Sequence, residues 1–276
     1  MKQYDLAFGM GFSCAVSQSL RESGLQYASF PLDWIGSPGL AESVAMIVGG
    51  FADWFNREDL VLHAVRRAPL YAHVYRNAKT GFGFPHDFPS FRPFDELYAE
   101  ANAKYARRIP RFLETLARSR KVLAVYLERP INRTLTDAEL ITAHAKLAAA
   151  FPGSEIDLVY FHRQDDAATA AVREVSARVT AVGVDLATRD GAEISNLVRR
   201  EKMSEFLSAY ATVADVRDAA AVKEREKFVR GKHEDRWHAK GPWSRFVNAQ
   251  AFKLYRRLEK FLVARGLVPR EGPLWF

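Results

Sequence analysis

The stretch that decides the fold is "QYDLAFGMGFSCAVSQSLRESG", residues 3–24. Residues 3–8 read as a short strand, and two glycines, Gly9 and Gly11, follow. The apolar spacing then changes period: Ala15, Val16 and Leu20 fall on one face of a helix expected from about Ser13 to Ser23, with Gly24 as its stop. Strand, glycine turn and helix in that order are the opening unit of a parallel α/β sheet. The only cysteine of the chain, Cys14, stands at the head of the helix. Its position poses two readings, a small buried hydrophobe or a thiol held for chemistry.

The same form recurs in the middle of the chain. "KVLAVYLER" (121–129) and "EIDLVYFHR" (155–163) read as buried strands, with "TDAELITAHAKLAAAF" (136–151) as the helix between them. Thr136 with Glu139 three residues on is a capping-box pattern. "DDAATAAVREVSA" (165–177) reads as a second helix and "RVTAVGVDL" (178–186) as a third strand. The expected fold is therefore a three-layer α/β domain with a mainly parallel sheet, Rossmann-like or SGNH-like, and C-terminal helices packed outside. One domain over 1–276 is expected, with 1–92 bearing the site, 93–190 the parallel βαβ part and 191–276 a helical, basic part.

Other segments are less regular. "LQYASFPLDWIGSP" (25–38) reads as a strand entering a turn, and 39–49 as a helix. "LVLHAV" and "YAHVYR" read as short strands before a Gly- and Pro-shaped loop, "NAKTGFGFPHDFPSF" (77–91). A long helical segment over 94–119 is expected to be interrupted or kinked at Pro110.

Composition bounds the function. The 276 residues are 48% hydrophobic and 26% charged, enough to bury a core without staples. One cysteine allows no intramolecular disulfide and fits a reducing compartment. With no signal-peptide pattern and no long apolar run, a cytoplasmic location is expected. The formal charge of +7 gathers late in the chain, where acidic residues interleave with the basic ones. That mixture argues against a dedicated nucleic-acid arm and leaves an anionic glycan, peptide or small-molecule substrate open. The histidines and carboxylates lack metal-ligand spacing, and neither a metal nor another cofactor is expected.

A thiolate at a helix N-terminus wants a histidine base and a group to orient it. Of seven histidines, His144 sits mid-helix, His162 ends a strand, and His63 and His73 fall in strand-like runs where they suit the core. His86 differs, since "GFGFPHDFP" places it in a shaped loop with Asp87 beside it. Neighbours on an extended segment point oppositely, so Asp33 in "FPLDW" is a rival orienting carboxylate.

These residues carry a resemblance. Gly11 and Cys14, Leu20 and Arg21, Gly24 and Leu25, Ser29 with Pro31, Asp33 and Trp34, and His86 with Asp87 and Phe88 resemble a bacterial and viral family of unknown function described as papain-like cysteine peptidases. Leu32 stands where that pattern has Phe, a change of packing. The likeness covers about the first 90 residues. It implies Cys14 as nucleophile and His86 as base, with Asp87 or Asp33 orienting. Gly11, Arg21 and Trp34 are expected to bind substrate.

Two other readings stand beside it. An SGNH-type serine esterase would use Ser13 with His238 as base and Asp235 orienting, from "DRWH" near the C-terminus. A glycosyl or other group transferase, or a binding module of polysaccharide biosynthesis, would hold a phosphorylated donor with Arg21, Lys232, Lys240 and Arg245.

Overall fold

The computed structural model describes residues 2–66, 72–129, 132–164, 171–184 and 196–212. All of these fall in the first of two units of the chain, residues 1–224. In chain order the strands are β1 (Lys2–Tyr4), β2 (Leu6–Gly9), β3 (Leu60–Arg66), β4 (Ala72–Asn77) and β5 (Gly83–Phe84), then β6 (Lys121–Leu127), β7 (Glu155–Arg163), β8 (Ala171–Ser176), β9 (Val179–Val184) and β10 (Tyr210–Thr212). The helices are α1 (Cys14–Glu22), α2 (Leu40–Val48), α3 (Phe94–Arg118), α4 (Asp137–Ala150) and α5 (Asn196–Leu207).

The main sheet has the order β2-β6-β7-β9-β8. Strands β2, β6, β7 and β9 run parallel, while β8 pairs antiparallel with β9 at the edge. The chain is thus α/β with a mainly parallel sheet. The central strand β6 explains its own burial: after Lys121 every residue to Leu127 is buried, as both faces of a parallel strand require. Alternate residues divide between two cores. Val122, Ala124 and Tyr126 join Leu6, Phe8, Phe112 and Leu140 on one, while Leu123, Val125 and Leu127 join Ala7, Val16, Leu20 and Met203 on the other.

The first strand breaks at Asp5, whose carboxylate accepts the backbone N–H groups of Arg120 and Lys121 at 2.8 and 2.9 Å. Beyond the break β1 pairs with β10 in a separate two-stranded sheet. A third sheet, antiparallel β3-β4-β5, carries the residues leading to His86. The short strands expected at 60–65 and 71–76 correspond to β3 and β4.

Two local expectations need correction, and a third, at Pro110, needs it for the interruption alone. Residues 171–176, expected to be helical, form β8, because Val172 and Val175 are β-branched and Ala177–Arg178 turn the chain straight back into β9. Residues 25–38 form no strand among the described residues; side-chain hydrogen bonds to Asp33 hold them in turns. Helix α3 runs through Pro110 without interruption. Pro110 is exposed, so the carbonyl that loses its helical donor there can turn to water.

Helix α4 begins with a full capping box: Thr136 accepts from the Glu139 N–H, and Glu139 accepts from the Thr136 N–H at 2.8 Å. Arg133 also donates to Glu139, at 2.8 Å from Nη1. These donors, Arg133 first, lower the exposed Glu139 carboxyl to about 2. A depressed carboxyl stabilises the fold above its ordinary value of 4.5, and that contribution is lost as pH falls towards 2. Glu139→Gln, which keeps the cap geometry but not the charge, should lower the urea midpoint at pH 7, with the gap to the parent closing between pH 4.5 and 2.

The packing makes a second prediction. Leu123 is fully buried at the centre of the sheet, and Leu123→Ala should cost about 2–5 kcal/mol. Leu62, 53% exposed on β3, should tolerate the same change with little loss in a urea titration.

Candidate active site

The turn that presents Cys14 is built by close backbone approach. A Cβ on Gly9 would meet Val16 Cγ1 at 2.9 Å, so glycine lets α1 pack against the end of β2. Gly11 has φ +21°, and a Cβ there would lie 2.7 Å from the carbonyl oxygen of Leu32. Its own carbonyl accepts the Ser37 N–H at 3.1 Å. Ser13 is the N-cap, its Oγ accepting the Ala15 N–H at 3.2 Å. Cys14 is therefore the first residue of α1, at the carboxyl end of β2, and its side chain is half-buried. At that position the helix amides favour a thiolate over a thiol.

The loop across the turn is held by one carboxylate. Asp33 is completely buried and accepts Gln26 Nε2 at 2.9 and 2.8 Å on its two oxygens and the Phe30 N–H at 2.7 Å on Oδ2. The Ser17 hydroxyl, one turn after Cys14, lies 2.9 Å from the Asp33 carbonyl and 3.1 Å from Oδ1. Arg21 approaches Oδ2 at 3.6 Å and donates to Ser29 Oγ at 3.1 Å. Burial pushes the Asp33 carboxyl up from its ordinary value, while Arg21 and the hydrogen bonds pull it down. Burial likewise lowers Arg21, to about 10.

From Asp33 the arrangement extends to His86. The Arg21 guanidinium lies over the Trp34 ring, 4.7 Å from its centroid, and Trp34 meets the His86 ring edge-on at 5.8 Å. Gly36 and Gly83 exchange two backbone hydrogen bonds of 2.8 Å, which fastens β5 to the same loop. His86 follows three residues later and is half-buried, as is Trp34. Asp87 instead faces α3, accepting from Tyr105 Oη at 2.7 Å and pairing with Lys104. Both candidate orienting carboxylates thus have their bonds elsewhere: Asp33 beneath α1, Asp87 on α3.

The other histidines separate by environment. His144 Nε2 lies 2.7 Å from the Ile156 carbonyl, and His162 stacks on Tyr160. His73 is half-buried, and burial lowers it from its ordinary value. His63, expected in the core, is exposed, because β3 turns that part of its length to solvent. Asp235, His238, Lys232, Lys240 and Arg245 lie outside the described residues. Among the described residues no group of three His, Cys, Asp or Glu could hold a metal, and no helix is long and apolar enough to cross a membrane.

Sequence reasoning missed two arginines. Arg66, at the end of β3, is lowered by burial and pulled back up by Cys14, which places its charge within electrostatic reach of the thiol. Arg129 follows the end of β6, and its guanidinium lies 5.1 Å from the Phe12 ring, two residues before Cys14. A charged residue just past the carboxyl end of a buried parallel strand is the signal that could have found Arg129.

Removing the Asp33 carboxylate leaves Arg21, Gln26 and the Phe30 N–H without their shared acceptor. Asp33→Ala should cost about 3–5 kcal/mol in urea unfolding, as for one partner taken from a buried ion pair. Asp87→Ala, at a half-buried position, should cost less.

Comparison with curated proteins and with solved structures gave no match. A family pattern does match residues 5–154, from just before β2 to just past α4. That stretch is more than half of the chain and contains the Cys14 turn, the Asp33 loop and His86. The chain belongs to the family described as "Putative papain-like cysteine peptidase (DUF1796)".

Proposed function

We propose that the chain is a cysteine-nucleophile hydrolase or acyl transferase, with Cys14 attacking and His86 as the base. The supporting observation is the shared loop: residues 32–37 pack on the Gly11 turn before Cys14 and bind Gly83 before His86. Both half-buried side chains are thereby tied to one short segment. The family description, a cysteine peptidase, agrees with a thiol at this position. We read the fold as a three-layer, Rossmann-like arrangement, in which the crevice beyond the strands' carboxyl ends receives the ligand.

In this reading His86 takes the thiol proton, and the thiolate sulfur attacks the acyl carbon. The positive N-terminal end of α1 stabilises the developing oxyanion. The leaving group departs with the proton from His86, leaving a thioester on Cys14. Water, or an acceptor nucleophile in a transfer, then gives its proton to His86 and attacks the thioester, which frees the thiol. Arg66 adds a positive charge that favours the thiolate. In this reading Trp34 packs against the His86 ring and limits its rotation. A thiol that must stay reduced suits a cytoplasmic setting.

Cys14 is the only cysteine, so its alkylation by iodoacetamide can be followed in the native protein with mass spectrometry. A fall in pKa from about 8.5 to about 6.5 raises the thiolate fraction at pH 6.5 roughly fiftyfold. Lower basicity returns much of that, so a net gain of roughly fivefold over a free thiol is expected. His86→Ala should remove the gain at pH 6.5 and leave the rate near pH 9 little changed. Alkylation that requires unfolding would make Cys14 a packing residue and overturn the proposal.

A further inference from the structure

The carboxyl end of β6 holds two buried donors that the hydrolase mechanism does not use. Tyr126 is 0% exposed, stacked on Tyr160 with ring centroids 6.3 Å apart, and its hydroxyl has no hydrogen-bond partner among the described residues. The Tyr160 hydroxyl, in contrast, accepts the Leu135 N–H at 3.0 Å. Three residues after Tyr126, Arg129 Nε is also buried without a partner, while Nη2 donates to the Ser37 carbonyl at 3.1 Å. The Arg129 guanidinium makes no ion pair with a described carboxylate.

The surrounding charges are few. Glu128 acts on Arg129 electrostatically, but its Oε1 accepts the Arg129 N–H at 2.9 Å and Asn132 Nδ2 at 2.7 Å. Arg76, on β4, donates to the Gly81 carbonyl and repels the Arg129 guanidinium, which burial also disfavours. Glu42 acts on Tyr126 from α2. Tyr126 is itself held neutral, since burial raises it well above its ordinary value. A buried guanidinium N–H and a buried hydroxyl, neither bonded, are each costly to leave so, and both call for an acceptor. Each group acts electrostatically on the other, so the two lie near one another at the end of β6. Arg129 rests on Phe12 and binds Ser37, and both of these belong to the backbone that frames Cys14.

We propose that Tyr126 Oη and Arg129 Nε form an oxyanion-binding subsite, with Arg76 adding charge, for a carboxylate or phosphate carried by the substrate of Cys14. The substrate link rests on the hydrolase reading above; the subsite itself does not. An oxyanion supplies an acceptor to both donors and the negative charge that Arg129 lacks. It would give the crevice a fixed point for one end of an anionic peptide or other acyl substrate, with Cys14 reaching the bond to be cleaved.

Radiolabelled inorganic phosphate is the probe, in equilibrium dialysis at low ionic strength with the full chain. Saturable binding is expected, weakened about tenfold or more by Arg129→Gln and about fivefold by Tyr126→Phe. Tyr126→Phe keeps the stacked ring and so answers the question if the arginine variant fails to fold. Displacement by succinate would assign the subsite to carboxylates, and binding indifferent to succinate would assign it to phosphate. Cys14→Ala should bind phosphate as the parent does, which separates this claim from the nucleophile. Phosphate should also slow iodoacetamide alkylation of Cys14, and bound phosphate without that slowing would overturn the substrate link. No saturable binding, or binding unchanged in both variants and hence an adventitious ion only, would overturn the subsite.

Discussion

The buried carboxylate of Asp33 is the constraint on which the rest of the site depends. A charge with no exposure survives only if its oxygens are filled, and here Gln26, the Phe30 N–H, Ser17 and Arg21 fill them. Those partners come from α1 and from both ends of the loop that follows it. Satisfying one anion therefore folds residues 26–33 into turns and fixes them beneath the helix that carries Cys14. Trp34, the next residue, is then aimed between Arg21 and His86.

From there the order of causes runs outward. The glycines at 9 and 11 let helix and loop approach the end of β2, and the Gly36–Gly83 pair joins the antiparallel sheet to the parallel one. Cys14 and His86 come from two different sheets, and the loop after Asp33 connects them. The arginines around the turn follow the same logic of partial desolvation. Arg21 has a carboxylate, Arg66 is within electrostatic reach of the thiol, and Arg129 keeps a buried donor unbonded. In the proposed reading this balance favours negative charge, first on the thiolate and then on a ligand.

Much of this was legible in the sequence because local signals agreed. The change of period at Gly9–Gly11 marked α1 to within a residue, and Thr136 with Glu139 marked the start of α4. The parallel strands announced themselves as unbroken apolar runs. What failed was where alanine misled or where bonds were long-range. "AAVREVSA" has helical composition, yet its β-branched valines and the turn at 177–178 make it an edge strand. The role of Asp33 depends on donors that the chain brings together only on folding, so spacing read it as a rival partner for His86. Tyr126 and Arg129 looked like strand residues, because a missing hydrogen bond has no sequence signature.

The central claim is that Cys14 is held as a thiolate in the native fold, and its ultraviolet absorbance tests that most directly. A thiolate absorbs in the far ultraviolet where a thiol does not, and a single cysteine makes the difference spectrum against Cys14→Ala unambiguous. The account predicts a titration with its midpoint clearly below about 8.5, the value of a free thiol. It also predicts that the midpoint rises in His86→Ala. A native thiol that stays protonated until pH exceeds that value, with or without His86, would contradict it.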